Sequence, residues 1–246
     1  MYQAVFFDLD GTLLPIDTHR FMKGYFAALG SFFADRGVEA AWALTGVRVG
    51  TDAMFAYDGG KTTNERRFWD AFLSFAEGSR YAGRNWVDLF EEFYRVVFPR
   101  LGDAIEPDPH AARIVSCLHG KGYRLALTTN PLFPPQATAQ RLAWTGVDPA
   151  AFERVTAYQN SHYAKPSTEY YAENLATLGL DGTDVLMVGN DPVEDGAARS
   201  CGCDLYLVTD HLVERDGADA GATPAGSMTD LLHFVEGLPP LPVPTR

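Results

Sequence analysis

Two carboxylates, Asp8 and Asp10, close an apolar run, Ala4-Val5-Phe6-Phe7, with Gly11 and Thr12 directly behind them. Four to eight apolar residues bounded by a turn signal read as a buried strand. In an open α/β sheet, ligands bind outside the carboxyl ends of the strands. Both side chains are therefore expected at the working edge of a sheet. Carboxylates this close need a cation, or one of them must stay protonated. Hard oxygen donors of this kind suit Mg²⁺. An aspartate can also take a phosphoryl group and split one difficult displacement into two. A second carboxyl can protonate the leaving alkoxide and later activate water. Taken alone, Asp-x-Asp-Gly is as readily a polar turn after a strand, so partner groups elsewhere must decide.

Three later stretches carry such groups. Thr129 follows the apolar run Tyr123-Arg124-Leu125-Ala126-Leu127 and precedes Asn130-Pro131. A hydroxyl and a free backbone N–H there can both donate to a phosphate oxygen. Thr128, one place earlier, should point the other way. Lys165-Pro166 stands just before a helix start at Ser167 or Thr168, which fixes the direction of the lysine. Its ammonium is a compact point charge that can pair with a carboxylate and a phosphate oxygen. Finally, Val185-Leu186-Met187-Val188 runs into Gly189 and then Asn190, Asp191, Glu194 and Asp195.

In this order the four stretches resemble the four motifs of the haloacid dehalogenase-like (HAD) hydrolases. The resemblance implies that Asp8 is the nucleophile and Asp10 the general acid, then the base. It implies that Thr129 holds the phosphoryl group, with Asn130 and Gly11 beside it, and that Lys165 offsets the charge. Mg²⁺ would be held among Asp8, Asp10, Asp191 and Asn190, with Asp195 orienting a metal-bound water or Lys165. The chain departs from the commonest pattern at Asn190, where an Asp is usual. Charge favours Asp191 as the ligand, while position after the glycine favours Asn190. The implied activity is Mg²⁺-dependent hydrolysis of a small phosphorylated metabolite through an aspartyl-phosphate. A phosphomutase would keep the same motifs. A 2-haloacid dehalogenase would need neither Mg²⁺ nor an acid at Asp10, and a non-catalytic phosphate-binding protein fits an intact set poorly.

The elements around these residues alternate. Strands are expected at Tyr123–Leu127, Val155–Ala157, Val185–Val188 and Asp204–Val208. Helices are expected at His110–His119, Gln136–Trp144, Thr168–Leu178 and Val193–Ser200. Alternating strands and helices imply a doubly wound parallel sheet, an α/β Rossmann-like core. Between Thr18 and Arg100 the apolar residues recur at helical spacing, as in Phe21, Tyr25, Ala28 and Leu29, or Phe68, Phe72, Phe75 and Ala76. Breaks fall at Gly59-Gly60 and between Gly78 and Asn85. The expected organisation is a catalytic core over 1–17 and 105–246, with a helical cap over 18–104 inserted after the first strand. Pro-containing connections near Pro15 and Pro99 suggest linkers with few contacts, about which the cap could move. Asp17, His19, Arg20, Lys61, Asn64 and Arg67 are candidates for substrate specificity, and His162 is a loop residue. The tail Leu238–Pro244 is expected to be extended or frayed.

The chain has 246 residues, is 46% hydrophobic and carries a formal net charge of −12. The size and apolar content support a substantial core. The charge argues against nucleic acid or anionic membrane surfaces as partners. No run long enough to span a membrane occurs, and Met1 leads straight into the first strand without a signal segment. Three cysteines without a disulfide framework suit the cytoplasm. Oligomeric state is left open.

Overall fold

The computed structural model describes residues 1–56, 58–215 and 224–242. Six strands form one parallel sheet in the order β3-β2-β1-β4-β5-β6. They are β1 (Ala4–Phe7), β2 (Arg124–Leu127), β3 (Arg154–Val155), β4 (Val185–Gly189), β5 (Asp204–Val208) and β6 (Ala225–Gly226). The chain leaves β1 toward β2 on one side and returns to β4 on the other. The order therefore reverses at β1, the switch point where such sheets bind ligands. Register makes this exact in position: Phe7 pairs with both Leu127 and Val188. The residues that follow, Asp8, Thr128-Thr129 and Gly189-Asn190, consequently emerge side by side.

Both faces of the sheet are buried, as a parallel sheet requires. Val5 and Phe7 point into a core with Ile114 and Leu118 of α5 (Pro109–Gly120), Leu142 of α6 (Pro135–Trp144), and Leu231 and Val235 of α8 (Met228–Gly237). Ala4 and Phe6 face Tyr170, Tyr171 and Leu175 of α7 (Thr168–Leu178). The period-2 alternation of β1 is thus shared between two apolar layers.

Four helices lie between β1 and α5: α1 (Thr18–Ala34), α2 (Ala40–Phe55), α3 (Asn64–Glu77) and α4 (Trp86–Val96). Asp17 caps α1 by accepting from the Arg20 N–H, and Thr63 caps α3 by accepting from Arg66. Their shared core is aromatic, built on Tyr25, Phe33, Phe72, Phe90 and Phe93. Phe133, Ala137 and Tyr158 of the α/β part join that same cluster. The connection at Phe98–Gly102 is a packed 3₁₀ helix, not the loose linker expected from its Pro and Gly. Phe98 stacks on Trp144 at 5.6 Å between ring centroids. A Cβ on Gly102 would come within 2.2 Å of the same indole. Glycine there serves close packing rather than flexibility.

Several elements differ from the sequence reading. β2 begins one residue later and β3 covers Arg154–Val155, not Val155–Ala157. The helix expected over Val193–Ser200 is a turn followed by a 3₁₀ helix, Gly196–Cys201. The Asp195 carboxylate draws this segment tight by accepting from the Asn190 and Asp191 N–H groups, both at 2.9 Å. β6 and α8 had no counterpart in the sequence reading. Yet α8 starts with a capping box at Ser227 and Asp230 and buries Met228, Leu231, Leu232 and Val235 at helical spacing. The tail is non-helical but anchored. Lys121 Nζ donates to the carbonyls of Val235, Glu236 and Leu238, and Tyr123 donates to Pro239. Val243 and Pro244 lie outside the described residues. Among the described residues no helix is long and apolar enough to cross a membrane.

Candidate active site

Asp8 is the first residue past β1, with its N–H bonded to Val188 O at 2.9 Å. The turn behind it is closed by Gly11 N–H to Leu14 O and Leu14 N–H to Leu9 O, both 2.8 Å. Gly11 has φ of +81°, and a Cβ there would meet Asn190 Nδ2 at 2.2 Å. The turn therefore needs glycine twice over, for conformation and for the approach of Asn190. Gly11 lies against Asn190 and is not among the residues lining the cavity.

Lys165 ties the site together. Its ammonium is 1% exposed and donates to Asp8 Oδ1 at 2.8 Å and Asp195 Oδ1 at 2.6 Å. Burial alone would lower its pKa, but Asp195 and Asp8 hold it well above the usual lysine value. Two carboxylates share that single cation in a desolvated setting. Burial accordingly raises Asp8 despite Lys165, and pushes Asp195 up to about 6. Asp195 Oδ2 also accepts from the Asn190 and Asp191 N–H groups, so it fixes the loop and the lysine at once.

Asp10 sits apart from that triad and forms an ion pair with Arg141 of α6. Burial raises the Asp10 pKa, and Arg141 opposes the rise. Asp10 Oδ1 is buried without a hydrogen-bond partner, and so is Arg141 Nε. Arg141 was not singled out in the sequence. A signal existed: it occupies the buried face of α6 with Ala137, Thr138 and Leu142, where a charge needs a partner.

The turn after β2 is held from behind. Thr156 Oγ1 and Tyr170 Oη donate to Thr129 O at 2.7 and 2.9 Å. Thr128 turns away, with Oγ1 on Phe7 O at 3.3 Å. Asn130 links three motifs: its Oδ1 accepts from Lys165 N–H at 3.3 Å and its Nδ2 donates to Glu194 Oε2 at 3.2 Å. Burial pushes Glu194 up to about 7, with Lys165 opposing.

The two candidates after Gly189 are separated by their surroundings. Asp191 Oδ1 accepts from Val193 and Glu194 N–H at 2.8 and 3.1 Å, and both its oxygens are engaged by Arg215. Those bonds outweigh burial and lower its pKa. Asn190 donates through Nδ2 to His211 O at 2.7 Å and accepts at Oδ1 from Thr12 at 3.3 Å. Its amide oxygen keeps further accepting capacity. Among the described residues no three His, Cys, Asp or Glu side chains converge where they could hold a metal. Mg²⁺ commonly takes only one or two carboxylates, with waters and substrate phosphate completing its shell. Asp8 with the Asn190 amide oxygen fits that sparse donor set.

These groups open into one cavity of about 920 Å³. Asp8, Asp10, Thr129, Asn130, Arg141, Asn190 and Asp191 line it, together with Asp17, His19 and Met22 from the start of α1 and the loop from Thr209 to Arg215. The sequence reading gave no role to that loop or to Glu194. Of the specificity candidates, Asp17 and His19 reach the cavity, while Arg20 and Lys61 are not among its lining residues. Asn64 and Arg67 do something else. Asn64 Nδ2 donates to Pro131 O at 3.2 Å and Tyr163 O at 3.0 Å. Arg67 pairs with Asp58 at 2.9 Å and donates to His162 O at 2.6 Å. His162 itself bonds Glu173 through Nδ1 at 2.6 Å. These residues fasten α3 to the loops that carry Thr129 and Lys165.

Residues 2–202 match the family model of the haloacid dehalogenase-like hydrolases. A phosphoglycolate phosphatase of Cupriavidus necator is 29% identical over 244 residues, covering 99% of this chain and 94% of that protein. Among solved structures, a 2-haloacid dehalogenase from Pseudomonas syringae superposes with a TM-score of 0.65 at 20% identity, over 95% of this chain and 99% of that one. A HAD phosphatase from Thermococcus onnurineus superposes with a TM-score of 0.58 at 17% identity, over 98% and 100%. The likenesses to solved structures concern the fold, but the family model spans β1 to the end of the Asn190–Cys201 segment and so includes all four motifs. With those motifs brought to one sheet edge, the chain belongs to the haloacid dehalogenase-like hydrolases.

Proposed function

We propose that this protein hydrolyses the phosphomonoester of a small metabolite through an aspartyl-phosphate on Asp8. The observation that carries the reading is the Lys165 ammonium held between Asp8 and Asp195, with Asp8, Thr129 and a second carboxyl, Asp10, lining one cavity. Asp8 attacks phosphorus in line with the leaving oxygen, and Asp10 delivers its proton to that oxygen. Asp10 then takes a proton from water, which attacks the phosphorus and frees Asp8. Lys165 and the donors at Thr129 offset charge on the phosphoryl oxygens. Mg²⁺, held by Asp8 and the Asn190 oxygen, supplies further neutralisation when bound. The Cupriavidus relative named for phosphoglycolate supports a small phosphorylated substrate. Three unpaired cysteines suit a reducing compartment such as the cytoplasm. The helices over 18–104 act in this reading as a cap, fastened to the core by Asn64 and Arg67.

A 2-haloacid dehalogenase is the second reading. It is favoured by the engagement of Asp191 with Arg215, together with Asn190, an amide rather than a carboxylate, next to Gly189. One comparison separates the two. Purified protein is assayed for phosphate release from a panel including 2-phosphoglycolate, with Mg²⁺ and with chelator, and for chloride release from 2-chloropropionate. Phosphate release that needs Mg²⁺ and disappears in Asp8→Asn is the expected result. Chloride release in chelator, with no ester hydrolysed in Mg²⁺, overturns the phosphatase reading.

A further inference from the structure

A second cavity, of about 160 Å³, lies next to the catalytic one. Met22, Leu132 and Phe133 line both. Its inner wall is formed by the buried rings of Phe68, Phe90, Phe133 and Tyr158. At its rim stand Phe26 and Val87, which are 38% and 42% exposed despite being apolar. An apolar cavity of about 150 Å³ is large enough to take benzene.

The lining is not wholly apolar. Gln159 Oε1 is buried without a hydrogen-bond partner. Glu65 faces the same space, and burial raises its pKa. Thr51, Glu91 and Gln136 also line it, among side chains that are otherwise apolar or aromatic. The usual design of a small-molecule pocket is an apolar lining with a few placed polar groups.

Its direction from the chemistry is also defined. Asp10, the acid of the reading above, is paired with Arg141. The Arg141 guanidinium lies 4.5 Å from the Phe133 ring centroid, and Phe133 is a wall of the cavity. Contacts therefore run from the group that protonates the leaving oxygen straight to the aromatic space.

We propose that this cavity is the leaving-group pocket, and that it takes an ester whose alcohol part is a benzene-sized aromatic body. The proposal rests on the phosphatase reading, so its test has an arm that needs no turnover. Phenol is titrated into the wild-type protein, with Trp69, a lining residue, as the fluorescent reporter. Phenyl phosphate and 2-phosphoglycolate are then compared as substrates. Two variants on α2 change the cavity without touching the catalytic groups: Thr51→Met fills it and Val47→Ala enlarges it. Thermal melts establish that each is folded.

Thr51→Met is expected to raise both the phenol Kd and the KM for phenyl phosphate by about tenfold, and to leave KM for 2-phosphoglycolate within about twofold. Val47→Ala is expected to shift preference from phenyl toward naphthyl phosphate. An unchanged ratio of phenyl phosphate to 2-phosphoglycolate in both variants, or equal losses on both esters, overturns the assignment. Phenol binding that Thr51→Met weakens, with no ester hydrolysed by the wild type, overturns the phosphatase reading and leaves the cavity its ligand class.

Discussion

The guanidinium of Arg141 is paired with the carboxylate of Asp10, which lies 131 positions earlier in the chain. The arginine side chain is 1% exposed and the aspartate side chain 17%. Removing one partner leaves a desolvated charge without its counter-ion. Arg141→Met is therefore expected to destabilise the protein by about 3 kcal/mol and to lower kcat by about 10²-fold through misplacement of Asp10. Combining it with Asp10→Asn should restore much of the stability and none of the activity. Urea unfolding and steady-state kinetics on the three proteins check both statements.

Lys165 neutralises two carboxylates at once, so its loss should cost more than that of either acid. Lys165→Met is expected to destabilise by about 3–5 kcal/mol. Adding Asp195→Asn should recover part of this, with a coupling of about 1–3 kcal/mol. Asp8→Asn keeps an acceptor for the ammonium and should melt close to wild type while abolishing turnover. A double-mutant cycle from denaturant midpoints measures the coupling. Additive losses would mean that the Asp195–Lys165 contact at 2.6 Å carries no stability.

Asn190 and Asp191 should differ in their effect on metal dependence. Asn190→Ala removes the amide oxygen that the phosphatase reading gives to Mg²⁺, and is expected to raise the Mg²⁺ concentration for half-maximal activity by about tenfold or more. Asp191→Ala removes the partner of Arg215 and two turn hydrogen bonds. It should lower thermal stability more than it shifts the Mg²⁺ requirement. Activity titrations with Mg²⁺ after chelation distinguish the two.

Asn64 and Arg67 hold α3 against the catalytic loops, so their loss should affect every ester alike. Asn64→Ala removes the donor to the buried Pro131 carbonyl, at a cost of about 1–3 kcal/mol. The expected signature is a similar fall in kcat across an ester panel with the ranking preserved. Lys61→Ala, at an exposed side chain outside the cavity, should change neither. A reordering of substrates by Arg67→Ala would return that residue to the specificity group.

Glu194 gives a dependence of stability on pH. Burial pushes its pKa up to about 7 from 4.5. The folded state thus holds its proton over a range in which the unfolded state has lost it, and stability falls as pH rises from about 4.5 through about 7. Glu194→Gln removes that loss. The side chain is 33% exposed, so after solvent screening the gain at pH 8 should be on the order of 1–2 kcal/mol. Thermal melts of both proteins in chelator, from pH 5 to 8.5, should diverge with rising pH and stay parallel above about 7.5. Parallel curves throughout would mean that Glu194 is not desolvated.

The local signals in the chain were enough for the core architecture and for the order of its motifs. An apolar run ending in Asp8-Leu9-Asp10-Gly11, or in Thr129-Asn130-Pro131, is a property of neighbouring residues, and β1, α7, β4 and β5 lie where periodicity and caps place them. Two misses were also local. The capping box at Ser227 was readable, and the Asp195 carboxylate, by binding the N–H groups ahead of it, draws into a turn the segment expected as a helix over Val193–Ser200.

What no stretch of sequence could decide is which charges meet. The sequence alone determined that acids, a lysine and a hydroxyl stand at strand ends. Only the tertiary structure decided that Lys165 joins Asp8 to Asp195, that Arg141 takes Asp10, and that Arg215 takes Asp191 while the Asn190 amide bonds His211 and Thr12. The reason is physical. A strand end is specified by contacts a few residues apart, whereas the partner of a buried charge is set by the register of β1 with β2 and β4 and by the depth to which α6 packs.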